Sequence, residues 1–225
     1  MGEMIEVLRP DGGGCPAYVA VPPAGAGSPG FVMIQEWWGI NDQMRGLADR
    51  LAKQGFAVLI PDLYRGRLAT DPDEAGRLMN GLDFAAAAAQ DVRGCVRHLK
   101  AAGAPRVGVG GFCLGGALTV IAAVHVPEAD AALCFYGIPP VAAADPAKIR
   151  VPFSGHFANR DDWCTPAAVD SLEAAMKAGG VAAEVFRYDA QHAFMNERRS
   201  EVYDAACAEL AWRRATAFLD RTLRP

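Results

Sequence analysis

The chain has 225 residues, 52% of them hydrophobic and 21% charged, a balance that fits one packed domain over residues 1–225 and excludes disorder over most of the length. A net charge of −4 gives no basic face for nucleic acid or for an anionic membrane. No apolar run approaches the roughly 20 residues of a membrane span. The acidic start Met1-Gly2-Glu3-Met4-Ile5-Glu6 lacks the basic flank and apolar stretch of a secretory signal, so the expected location is the cytoplasm.

Along the chain, short apolar runs alternate with amphipathic segments, the pattern of an α/β fold with a largely parallel sheet. Tyr18 to Val21 is the first predicted strand, followed by a Pro/Gly/Ala loop over 22–30 and a fully apolar strand Phe31 to Ile34. Asn41-Asp42 cap a helix carrying Met44, Leu47, Ala48 and Leu51 at helical spacing, which Gly55 ends. Phe56 to Ile60 is a buried strand, stopped at Pro61-Asp62. Residues 64–84 hold turn formers and charges with weak periodicity and read as an excursion over the rim of the sheet. An Ala-rich helix spans 84–102, then strand 107–112, helix 114–126 and strand 131–136. Strand 151–157, helix 166–178, strand 182–188 and helix 200–222 complete the chain.

Six cysteines, at 15, 95, 113, 134, 164 and 207, show no CxxC pairing. Five read as reduced, buried small residues. Cys113 is different. It sits in Gly110-Gly111-Phe112-Cys113-Leu114-Gly115-Gly116, between a strand and a helix, as a G-x-C-x-G form of the nucleophile elbow. The turn is so tight that the residues two before and two after the nucleophile nearly touch, and glycine at 111 and 115 removes the side chains that would collide. A thiolate at the N-terminus of a helix is favoured by the exposed N–H groups there. The competing readings are a small core cysteine in a Gly-rich turn, or a dinucleotide fingerprint. The second begins at Gly108-x-Gly110 and fails at its third glycine, which is Cys113 itself.

Of four histidines, His98 and His125 fall within or at the end of helices and His156 falls inside a strand. His192, just beyond the last predicted strand, stands where an α/β-hydrolase carries its base. The acid that orients it should come after strand 151–157, where Asp161 and Asp162 both qualify; the spacing Asp-x-x-x-Pro to Pro166 favours Asp162. No G-x-S-x-G occurs, and the histidines lack metal-ligand spacing, so neither a metal nor any cofactor is expected.

With these residues in place the chain resembles the dienelactone hydrolase (carboxymethylenebutenolidase) family over nearly its whole length. The resemblance rests on Gln35-Glu36-Trp37-Trp38-Gly39, on Pro61-Asp62-Leu63-Tyr64, on Gly111 to Gly116, on Asp162 with Pro166, and on His192 with Phe194. It implies an α/β-hydrolase fold: a mostly parallel sheet of about 7–8 strands with helices on both faces, in three layers. It also implies hydrolysis of a small ester or lactone through a thioester acyl-enzyme, with Glu36 as a movable gate beside the thiol. The backbone N–H groups of Trp37 and Leu114 would form the oxyanion hole. Arg77 matches one of the arginines that hold a substrate carboxylate in the family. Gly81, Ala193 and Asn196 depart from the tyrosine, serine and second arginine expected at their positions. Trp37, Trp38, Phe84, Phe112 and Phe194 are expected to wall the pocket. The expected partner is a small ester or lactone, with no nucleic acid and no membrane, the protein acting as a monomer or weak homo-oligomer. A broader carboxylesterase or thioesterase of the same fold, or a silent thiol-sensing protein, are the alternatives.

Overall fold

The apolar runs assemble into one eight-stranded sheet in the order β1-β2-β4-β3-β5-β6-β7-β8. The computed structural model describes residues 2–23, 25 and 27–224; two positions of the 22–30 loop, 24 and 26, and the first and last residues lie outside the described residues. The strands are β1 (Glu3–Leu8), β2 (Gly14–Ala20), β3 (Gly30–Ile34), β4 (Ala57–Pro61), β5 (Val107–Phe112), β6 (Ala131–Phe135), β7 (Phe153–Arg160) and β8 (Ala183–Gln191). Both pairings of β2 are antiparallel and every pairing from β4 to β8 is parallel, so β2 alone runs against the rest. The mostly parallel α/β-hydrolase sheet is thus present.

Period-two alternation divides the core into two layers. Val32 and Ile34 of β3, Val107 and Val109 of β5 and Cys134 of β6 face one side. There they meet the helical run 84–101 (α3, Phe84–Ala86; a π-helical stretch, Ala87–Val92; α4, Arg93–Ala101), α5 (Leu114–His125) and α6 (Pro166–Ala178). Phe31, Met33, Leu133 and Phe135 face the other side, against α1 (Asp42–Lys53) and α7 (Ala205–Leu223). Asn41 caps α1 by accepting the Met44 N–H at 3.1 Å, and Thr165 caps α6 by accepting from Ala168.

Two elements have no counterpart in the sequence reading. β1 buries only Val7, so its pattern gives no amphipathic signal, and pairing with β2 defines it. The rim excursion contains α2 (Pro72–Asn80), with Pro72 in its first turn, Asp71 accepting from the Glu74 N–H, and only Ala75 and Leu78 buried. The π-helical stretch widens the helix at Asp91, whose buried carboxylate accepts two bonds from Arg65, at 2.7 and 2.9 Å.

Parallel pairing brings the strand ends that matter to one edge. Ile34 of β3 is opposite Gly111 of β5, and Phe112 is opposite Phe135 of β6. Gln35-Glu36, Cys113 and Tyr136 therefore emerge side by side. At the far end, Arg160 of β7 pairs with Gln191 of β8 after a shift in register beyond Ala158, so the next residues, Asp161 and His192, leave the sheet together.

Candidate active site

Cys113 occupies the turn from β5 to α5 with φ 56° and ψ −114°, a backbone conformation that costs a non-glycine residue of order 1–3 kcal/mol. Its neighbours make the conformation unavoidable. A Cβ on Gly115 would lie 2.3 Å from the Ile34 carbonyl oxygen, and one on Gly111 would lie 2.6 Å from the same atom and 2.7 Å from Gly115. Only two bare backbones fit there. The turn is tied down by the Cys113 N–H, which donates to Phe135 O at 3.0 Å, and Leu114 becomes the first residue of α5. The N–H groups of that first turn have no acceptor within the helix.

His192 follows β8 directly, because the strand runs to Gln191 and not to 188. Its Nδ1 lies 2.8 Å from Oδ2 of Asp161. The other carboxylate oxygen of Asp161 accepts the backbone N–H groups of Trp163 at 2.8 Å and Cys164 at 2.9 Å. Burial opposes ionisation of Asp161, but the His192 bond and charge and these two N–H groups outweigh it, and the carboxyl is held below the usual carboxylate range. Burial likewise opposes protonation of His192. The bond to Asp161 and the adjacent Cys113 sulfur overcome it, and its pKa is pushed up to about 10. Nε2 of His192 is buried without a hydrogen-bond partner of good geometry among the described residues, with the Cys113 thiol beside it.

The expectation that Asp162 meets the histidine is therefore corrected: the carboxylate at His192 Nδ1 is that of Asp161. Asp162 is exposed to solvent. The reason is local: β7 continues three residues past the predicted end at 157, so the first residue beyond the strand is Asp161, and its side chain is buried under the turn that it caps.

Glu36 is 3% exposed. Its Oε2 accepts the Asn196 amide at 2.6 Å and its Oε1 accepts the Tyr136 hydroxyl at 3.4 Å. Burial pushes its carboxyl up, more than the Asn196 bond, the His192 charge and the Tyr136 bond bring it down. Tyr136, which the sequence reading placed only as a strand end, packs edge-on to the His192 ring at 5.1 Å and has a positive φ of 36°. An aromatic at the carboxyl end of β6, beside the elbow in register, is the signal that marks it.

A cavity of about 1000 Å³ opens over these groups and is lined by Glu36, Trp37, Trp38, Cys113, Leu114 and His192, with Tyr136 and Trp163. Trp37 stands edge-on to both Trp38, at 5.2 Å, and Trp163, at 6.1 Å. Phe84 also reaches the cavity. Three expected substrate contacts do not. Arg77 is on the exposed face of α2, which lines the cavity through Pro72, Met79 and Asn80 instead. Phe112 stacks on Phe135 at 4.5 Å in the layer under α7, because alternation along β5 sends it to the opposite face from Cys113's cavity. Phe194 is fully buried between Tyr136 and Tyr188. His156 is a core residue, bonded to the Tyr188 hydroxyl at 2.8 Å, its pKa lowered to about 3 by burial.

The Gln35 and Pro61 motifs serve the scaffold of this edge. Oε1 of Gln35 accepts the Leu63 N–H at 3.3 Å, and Asp62 accepts the N–H groups of Tyr64 and Gly66, so the turn after β4 is bound to the strand end that carries Glu36. Among the described residues no cluster of three or more metal-ligating side chains occurs, and no helix is long and apolar enough to cross a membrane.

Comparison with known proteins agrees with this architecture. The chain is 34% identical to "Protein usf" of Aquifex pyrophilus, with 99% of this chain and all of that protein aligned. It is 32% identical to the "Putative carboxymethylenebutenolidase" of Aquifex aeolicus over the full length of both. A crystal structure described as a "Putative Dienelactone Hydrolase" from Klebsiella pneumoniae superposes with a TM-score of 0.88 at 26% identity, over 98% of each chain. The sequence profile of the dienelactone hydrolase family matches residues 15–223, nearly the whole sheet and the helices from α1 to α7, and the chain belongs to that family of carboxylic-ester hydrolases.

Proposed function

We propose that the protein hydrolyses a small ester or lactone with Cys113 as nucleophile, His192 as acid and base, and Asp161 as the group that orients and charges the histidine. The observation that carries this is the line from the Asp161 carboxylate through the His192 imidazole to the Cys113 thiol, at the mouth of a closed turn facing a cavity.

In the first step the Cys113 sulfur attacks the substrate carbonyl carbon, and His192 Nε2 holds the thiol proton. The carbonyl oxygen becomes an oxyanion, for which the family resemblance offers the backbone N–H groups of Leu114 and Trp37, residues that both line the cavity. The tetrahedral intermediate collapses, the C–O bond to the leaving alcohol breaks, and His192 gives that oxygen its proton. A thioester remains. Water then attacks the thioester, losing a proton to His192, and the C–S bond breaks to release the carboxylic acid and return the thiol. Asp161 stays ionised throughout, which its three hydrogen bonds favour. Every group comes from one chain, so a monomer suffices, and a working thiol suits a reducing compartment such as the cytoplasm.

The test is turnover of p-nitrophenyl acetate by the protein and by its Cys113→Ala variant, with acid-quenched samples weighed by mass spectrometry. Cys113-dependent turnover and an acetyl mass increment mapped to the peptide bearing Cys113 are expected. Turnover that persists in Cys113→Ala would overturn the assignment.

A further inference from the structure

The cavity over Cys113 is shaped for more than a small lactone. At about 1000 Å³ it lies at the top of the roughly 300–1,000 Å³ range that encloses drug-sized ligands. Leu114, Ala117 and Ile121, all on its wall, share one face of α5 at spacings of three and four residues. They form an apolar strip that runs about 10 Å from the nucleophile, at 1.5 Å per residue. The cavity is also lined by Met79 of α2, Leu82 in the turn after it and Phe84 at the start of α3, and by Ile138 and Pro140 after β6.

Its charges are as informative. Arg199 is the single Lys or Arg among the described lining residues, and its Nε is already 2.8 Å from Oε1 of Glu201. The buried Glu36 carboxyl stands within range of the same guanidinium. Arg77 points to solvent, and Gly81 at the end of α2 has no side chain to offer. The other cationic group on the wall, His192, is paired with Asp161, so a substrate carboxylate entering here would lose its water without gaining an unpaired cation, which is unfavourable by general desolvation arguments. An alkyl or aryl group would gain in proportion to the apolar surface it covers.

We infer that the cavity selects neutral esters bearing a medium-length alkyl or an aryl group laid along the Leu114–Ala117–Ile121 strip, and disfavours esters that carry a carboxylate. The inference rests on the assignment of Cys113 as nucleophile, and its test has one arm that does not need turnover.

In the first arm, kcat/KM is measured for the p-nitrophenyl esters of acetate, hexanoate and adipate, the last bearing a free terminal carboxylate. The hexanoate is expected to exceed the acetate at least tenfold, and the adipate to fall at least tenfold below the hexanoate. Met79→Lys, which adds a cation to the wall, should narrow the gap between adipate and hexanoate. Equal values for acetate and hexanoate, or adipate preferred, would overturn the inference while leaving the nucleophile in place.

In the second arm, Cys113→Ala is titrated with 2-octanone and with 7-oxooctanoate, read by the fluorescence of the tryptophans around the cavity. Tighter binding of the neutral ketone by tenfold or more is expected. Equal or tighter binding of the keto acid would overturn the inference even where no ester is turned over. Absence of Cys113-dependent turnover would count against the nucleophile alone.

Discussion

The amide of Asn196 donates to Oε2 of Glu36 at 2.6 Å, joining residues 160 apart in sequence, both nearly excluded from water. Together with the Tyr136 hydroxyl it occupies both oxygens of the carboxyl that the family resemblance places as a gate at the thiol. Asn196→Ala leaves one oxygen of a buried carboxyl without its donor, an effect of about 1–3 kcal/mol. Chemical denaturation at neutral pH should show that loss, and Asn196→Gln should not restore it, because the longer side chain cannot keep the 2.6 Å geometry.

Burial raises the Glu36 carboxyl above its ordinary value of 4.5. A raised acid binds its proton more tightly folded than unfolded, so stability is full below pH 4.5 and falls as pH climbs toward the folded value. Glu36→Gln removes that dependence. The variant should match the parent in denaturant midpoint near pH 4 and exceed it near pH 7; a gap that is independent of pH would refute this.

For His192 the sign is also that of a raised group. Its folded pKa of about 10, against an ordinary 6.5, means stability that is fully present below pH 6.5 and lost as pH rises toward 10. The imidazole resonances followed by NMR should titrate near 10. In Cys113→Ala and in Asp161→Asn the midpoint should move down, since the thiol and the carboxylate both hold the proton in place.

Asp161 and Asp162 separate cleanly by mutation. Asp161→Asn should lower kcat/KM by about 10²–10⁴ fold, the scale seen when the orienting acid of such a triad is neutralised. Asp162→Asn, at an exposed position, should leave kcat/KM within about twofold of the parent.

Away from the site, Arg65 holds the buried Asp91 in the π-helical stretch. Arg65→Ala leaves that carboxylate, among the described residues, with only the more distant Arg9, 3.7 Å away. A loss of about 1.5–3 kcal/mol is expected from the broken charged hydrogen bonds. Asp91→Asn, which keeps a hydrogen-bond acceptor without the charge, should lose less.

Much of this was legible in one dimension. Strand β5 and helix α6 fall on the residues that their periodicity predicts. The elbow needs glycine at 111 and 115 whatever surrounds it, since two backbones meet there, and a sequence shows glycine directly. Elimination among four histidines leaves His192 as the one just beyond the last strand. What stayed hidden had no local signal. Strand β1 buries one side chain and exists because β2 offers it a partner. Phe112 and Phe194 look like pocket walls by proximity to Cys113 and His192 in the chain, yet alternation and packing turn both into the core.

The chemical inventory of the site, a thiol at a strained elbow with a histidine and an aspartate later in the chain, was determined by the sequence itself, because residue type and chain order are local properties. Which aspartate meets the histidine was decided by tertiary structure. It depends on how far β7 runs and on the register shift that sets Arg160 opposite Gln191, and a shift of one residue in a strand sends a side chain to the other face. The same holds for the cavity: its apolar walls come from α2, α5 and the loops after β3, β6 and β7, segments whose mutual distances exist only once the sheet has set them.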